Sequence, residues 1–150
     1  MQKELEKKKG AAILVFNDRG ELALQLRAAD DDSFPSHWDF SAGGGIDAGE
    51  DEKLSAEREL QEELGIKASV ALVAQERYIY PAWKPSVMRE IDLWIYKAHH
   101  NGPFKPDPAE VEKVEFFTLE RIKEMMESDH KFHPEFVLSW NKGVITKTLS

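Results

Sequence analysis

Runs of apolar and polar residues alternate along this chain in distinct rhythms, and each rhythm predicts an element. AAILVF (11–16) is unbroken and apolar, which predicts a buried strand. NDRG (17–20) reads as a turn, and ELALQLR (21–27) alternates with period two, so the pair predicts a hairpin. The Asp run and Pro35 in AADDDSFPSHW (28–38) predict a loop, and WDFSA predicts a short strand before a glycine loop. Residues 51–64 predict a helix with acids in its first turn and Gly65 just beyond its end. Leu54, Leu60 and Leu64 are expected to form its core face.

Further on, SVALVAQERYIY (69–80) and VMREIDLWIYKA (87–98) predict strands around the loop PAWKP. The second of these places Ile91, Leu93 and Ile95 on one side and Trp94 and Tyr96 on the other. HHNGPFKPDP (99–108) predicts a loop and VEKVEFFTL a strand. Thr118 is set to cap the amphipathic helix LERIKEMMES, and Pro134 to start a shorter one. Residues 1–9 predict a frayed or helical polar lead. With no repeat, no low-complexity linker and no strict βαβ alternation, residues 1–150 are expected to form one α+β domain: a mixed sheet covered by helices.

Composition narrows the function. A net charge of −8 argues against general affinity for nucleic acid or an anionic membrane. An anionic substrate would then need local positive charge or a metal to receive it. The absence of cysteine excludes disulfides, thiolate metal sites and cysteine nucleophiles. MQKELEKKKG lacks the apolar core of a signal peptide, and no apolar run approaches the roughly 18 residues of a membrane span. The default expectation is a cytoplasmic protein without a membrane or nucleic-acid partner.

One stretch carries chemistry. In RELQEELG (58–65), Glu59, Glu62 and Glu63 stand at i, i+3 and i+4, the spacing of one helix face. Like charges so placed repel by a few tenths of a kcal/mol per pair. A hard divalent cation removes that repulsion, because Mg²⁺ prefers carboxylate and phosphate oxygens. Gly43, Gly44 and Gly45 lie just upstream and allow close backbone approach. On its own, a Glu-rich helix is more often a solvated face.

From Gly44 the chain reads Gly, five residues, Glu50, seven residues, Arg58-Glu59-Leu60, one residue, Glu62-Glu63, one residue, Gly65-Ile66. This closely resembles the signature of the Nudix hydrolase family, with every fixed position filled. The resemblance implies an α/β/α sandwich around a mixed sheet. It also implies hydrolysis of a diphosphate bond in nucleoside diphosphate derivatives with Mg²⁺ or Mn²⁺. By position, Glu59, Glu62 and Glu63 correspond to metal ligands, with a general base among them, and the Gly44 carbonyl is a further ligand. Glu50 and Arg58 correspond to a supporting ion pair. A further carboxylate is expected from Glu110, with Glu112 as second choice.

The substrate is less legible. Arg27 ends the second strand, where relatives often touch phosphate; a plain strand-end charge is the other reading. Phe34, Trp38, Tyr80, Trp83 and Phe132 lie in or near predicted loops and are available to stack on a base. Core packing is the competing reading for each of them. His99, His100, His130 and His133 read as solvated loop residues. WDFS before the glycines is similar to the branch that contains isopentenyl diphosphate isomerase, but that isomerase needs a cysteine and this chain has none. Pro81 lies fifteen residues after Ile66, loosely like ADP-ribose and dinucleotide hydrolases.

The leading expectation is hydrolysis of a nucleoside triphosphate or oxidised variant, in nucleotide pool cleaning. Nucleoside diphosphate sugars or dinucleotides are the alternative. A non-catalytic nucleotide sensor is a lesser one, since the glutamates are intact. An RNA-cap hydrolase lacks a basic tract. VMREIDLWIYKA is an available surface for a homodimer.

Overall fold

A computed structural model describes residues 4–148. Seven strands form one mixed sheet: β1 (Glu4–Phe16), β2 (Leu22–Arg27), β3 (Trp38–Asp39), β4 (Ala42–Gly45), β5 (Ala71–Pro81), β6 (Val87–His99) and β7 (Val111–Phe117). The main order is β3-β2-β1-β6-β5, with β4 paired to β1 and β7 to β2. Helix α1 (Glu52–Leu64) covers one face, and α2 (Leu119–Glu127), α3 (Pro134–Asn141) and α4 (Val144–Lys147) cover the other.

The period-two pattern decides which side chain meets which helix layer. On β1, Ala11, Ile13 and Val15 join Ala56, Leu60 and Leu64 of α1 in one core, while Ala12, Leu14 and Phe16 enter the other with Ile122, Met125, Phe136 and Ile145. Strand β6 divides as expected: Ile91, Leu93 and Ile95 lie on the second side, Trp94 and Tyr96 on the α1 side. The result is an α+β sandwich with two cores back to back.

The polar lead departs from expectation. From Glu4 onward it is strand, pairing in parallel with β6 as far as Phe16↔His99. Its charges are matched across the ladder: Lys7 sits opposite Glu90, Lys9 opposite Asp92, and Arg89 grips Glu6 at 2.8 Å. Opposite charges directly across a ladder stabilise strands that lack apolar pattern. Residues 1–3 of the expected lead lie outside the described residues.

The glycines differ as well. Gly43, Gly44 and Gly45 are not loop but strand β4, antiparallel to Gly10–Ala12 of β1. A Cβ at Gly43 would stand 2.7 Å from the Ala11 carbonyl oxygen, so the close strand contact needs a bare backbone. The predicted hairpin forms, but β1 and β2 share only the pair Phe16↔Leu22 before parting. β2 then pairs with β7, and β1 with β4.

The caps follow the sequence. Asp51 accepts from Leu54 N at 3.0 Å and Thr118 from Arg121 N at 3.1 Å. Gly65 ends α1 in the left-handed conformation, φ 68°. Leu54 is a correction: it is 66% exposed, because it lies six residues before Leu60 and so about 120° around the helix from it.

Candidate active site

The fold brings together residues from seven separate segments to line a cleft of about 800 Å³. One end is built by α1 against β4. Along α1, the buried arc holds Glu59 and Glu63 beside Leu60 and Leu64, so two of the glutamates face inward. Glu62 lies outside that arc, with its side chain 56% exposed. All three line the cleft.

Glu63 Oε1 accepts from Gln25 Nε2 at 2.8 Å and from Gly43 N at 3.3 Å. Burial, and then the adjoining Glu59 carboxyl, push the Glu63 carboxyl well above its ordinary range, against the pull of Gln25 and Gly43. Glu59 presses on Gly44 so closely that a Cβ there would be 2.5 Å from Glu59 Oε1. Gly44 is therefore the floor on which this carboxylate lies.

Arg58 braces the outer side. Its guanidinium reaches Glu62 at 3.2 Å, Glu59 at 3.3 Å and Glu50 at 3.4 Å. Glu50 also accepts from Asp47 N at 2.7 Å, which ties the connecting loop to the helix. At the other terminus of α1, Lys105 N and Asp107 N bond the carbonyls of Leu64 and Glu63. Those bonds occupy helix-end acceptors that would otherwise lack partners. They also hold the segment that presents Glu110 to the cleft. The Glu110 carboxyl is raised by partial burial and by Asp107, Glu59, Glu62 and Asp31. Glu112 is exposed and does not line the cleft.

The donor set suits a hard divalent cation: a buried pair of carboxylates that repel one another, a third acid beside them, and backbone approach allowed by glycine. Among the described residues no three acids or histidines are already gathered into a metal cage. Glu62 is instead drawn to Arg58. The residues that would hold a cation are Glu59, Glu63 and Glu62, with the Gly44 carbonyl and Glu110 alongside.

The residues expected to touch substrate separate. Arg27 lines the cleft, but its guanidinium is engaged by Asp39 at 3.1 Å, Asp31 at 3.3 Å and the Ser33 carbonyl at 2.9 Å. It thus clamps the loop between β2 and β3. Trp38 is a strand residue, 8% exposed, and packs edge-on to Phe117. Tyr80 is 3% exposed in the same core, as are Phe34 and Phe132. Trp83 is exposed and rests on Phe34 and His37. None of these five aromatics lines the cleft; Phe40 does. Trp38 on β3 and Tyr80 on β5 are turned into the core by the alternation of their strands, and Phe34 and Phe132 join that core from the connecting segments.

His133 also differs from its solvated reading. It is buried and caps α3, its Nδ1 accepting from Glu135 N at 3.1 Å. Sequence reasoning missed Gln25, Asp39, Arg89, His133 and Glu135, all of which line the cleft. Only the period-two phase of β2 and the cap at His133-Pro134 carried any signal for them.

The family model described as NUDIX domain matches residues 6–138. The chain is 46% identical over 128 residues to an uncharacterised Nudix hydrolase of Listeria monocytogenes, covering 85% of this chain and 72% of that one. It is 35% identical over 114 residues to an uncharacterised Nudix hydrolase of Pseudomonas aeruginosa, covering 75% of this chain and 63% of the relative's length. Among solved structures it is similar to a MutT protein from Methanosarcina mazei Go1. There the TM-score is 0.76 at 18% identity, with 97% of both chains covered. No helix among the described residues is long and apolar enough to cross a membrane.

Proposed function

The chain belongs to the Nudix family, and from that premise we propose that it is a Mg²⁺-dependent pyrophosphohydrolase of nucleoside triphosphates or their derivatives. One observation carries the reading: Glu59 and Glu63 are buried side by side over Gly43 and Gly44 at the floor of a polar cleft. Burying two like-charged acids together is costly, and a cation offsets that cost.

The cation, when bound, neutralises phosphate charge and acidifies a water. The chain's own residues do the rest. Gln25 and the Gly43 N–H fix the Glu63 carboxylate, and Gly44 fixes the position of Glu59. Arg58 holds Glu62 and Glu59 while neutralising part of their charge. Glu110 lines the same cleft, and a carboxyl raised above its ordinary range suits proton transfer. We read the protein as cytoplasmic, with a nucleotide-type small molecule as its partner.

The test is a substrate panel with purified protein and Mg²⁺ or Mn²⁺. Pyrophosphate and a nucleoside monophosphate are the expected products of a triphosphate. Two monophosphate products would instead mark nucleoside diphosphate sugars or dinucleotides. Nucleotide binding without turnover on any member would refute the enzymatic reading in favour of a sensor.

A further inference from the structure

Glu59, Glu62 and Glu63 account for one end of the cleft and leave the other unexplained. At that other end, Glu135 opens helix α3 and lines the cleft with Arg89, Asp39 and His133. The charges around it are already matched. Arg89 is held by Glu6 at 2.8 Å, and Asp39 by Arg27 at 3.1 Å. His133 is held by its cap to Glu135 N at 3.1 Å. Glu135 is different. Its Oε2 accepts the Tyr80 hydroxyl, whereas among the described residues Oε1 has no hydrogen-bond partner and no cation lies within ion-pair distance of the carboxylate.

The register of the sheet gives the distance between the two ends. On β1, Gly44 lies opposite Ala11 and Arg89 opposite Glu6. Five residues of strand separate those positions by roughly 16 Å. A bound diphosphate at the glutamates leaves its attached group to span that distance. Between the ends, Phe40, Ile91 and Leu93 are buried in the core and reach the cleft only by their edges, which makes the floor there apolar.

We propose that Glu135 is the specificity-determining residue of this cleft, its Oε1 accepting a hydrogen bond from an exocyclic amino N–H of the nucleobase attached to the diphosphate. This rests on the pyrophosphohydrolase reading above. The chemistry disfavours two other occupants of that end. A further phosphate is repelled by the carboxylate. A hydrocarbon tail leaves a half-buried charged oxygen without a partner, which is the arrangement proteins avoid most strongly. A neutral N–H donor on a planar ring satisfies both the oxygen and the apolar surface. Tyr80 is a positioning residue that fixes the carboxylate by its second oxygen.

The experiment measures kcat/KM for two matched pairs with the full chain and Mg²⁺. ATP is set against purine riboside triphosphate, which lacks the 6-amino group. GTP is set against inosine triphosphate, which lacks the 2-amino group. The expected result is at least a tenfold preference for the amino-bearing member of one pair, expressed mainly in KM. In Glu135→Ala that preference falls to less than threefold. In the isosteric Glu135→Gln, which serves if the alanine variant fails to fold, it falls at least threefold. Wild-type turnover without discrimination in either pair, or discrimination that survives both substitutions, overturns the role of Glu135 and leaves the hydrolase reading standing. No turnover of any of the four compounds or of the linked diphosphates overturns both.

Discussion

Gly44→Ala separates catalysis from folding at this site. The backbone at Gly44 does not lie in the left-handed region, so alanine needs no unusual φ. The conflict is with one side chain: the added Cβ would stand 2.5 Å from Glu59 Oε1, 2.6 Å from its Cδ and 2.9 Å from its Oε2. Ordinary contact begins at 3.4 Å, so the carboxylate must retreat by about 0.9 Å, the difference between the two distances. A misplacement of about 1 Å in a catalytic site costs on the order of 10²-fold in rate. That corresponds to about 2.7 kcal/mol of transition-state stabilisation.

The stability cost is expected to be small, because a side-chain end can yield. Mild overpacking of about 1 kcal/mol is offset by the lower chain entropy of unfolded alanine, about 0.4–1 kcal/mol. Gly43→Ala is the control. Its Cβ meets the Ala11 carbonyl oxygen at 2.7 Å, which is backbone held in the β1–β4 ladder. That variant should lose roughly 1–3 kcal/mol of stability. The assays are pyrophosphate release under saturating Mg²⁺ and thermal melting of both variants. Wild-type kcat/KM in Gly44→Ala would refute the argument that this glycine positions Glu59. So would a melting loss as large as that of Gly43→Ala.

Other expectations follow from the same geometry. Glu63→Gln retains acceptors for Gln25 and Gly43 but removes one of two adjoining buried charges. It should lose at least about 10²-fold in metal-dependent kcat, as removal of one preorganised catalytic group does, yet melt no lower than wild type in EDTA. Arg58→Ala cuts exposed ion pairs to Glu50, Glu59 and Glu62, so stability should change by no more than about 1 kcal/mol. Its kcat/KM should fall more than that, and an unaffected rate would show that the brace does not matter to chemistry. Burial raises the Glu135 carboxyl above 4.5 in the folded state, only partly offset by His133 and Tyr80. An acid raised on folding contributes most below its unfolded value and loses that contribution as pH climbs through the folded one. The melting temperature of Glu135→Gln should therefore gain on wild type between pH values below 4.5 and neutrality. A gap constant with pH would contradict it.

The periodic parts of the fold were written in the chain. The phases of AAILVF and VMREIDLWIYKA assign β1 and β6 to both cores, and Asp51, Thr118, Gly65 and Pro134 mark helix ends by local chemistry. Local spacing also presents the glutamates of α1 to a single cleft. What depends on partners distant in sequence was not legible. Glu4–Lys9 reads as a polar lead until the complementary charges of β6 lie beside it. The glycines read as a loop until β1 draws them into a strand. Spacing treats Glu59, Glu62 and Glu63 alike, yet packing against Gly44 and Gln25 buries two and leaves the third to Arg58. The cleft's far end joins β6 to α3, 46 positions apart from Arg89 to Glu135. No local pattern encodes that meeting, because only the folded sheet sets which strand and which helix share a wall.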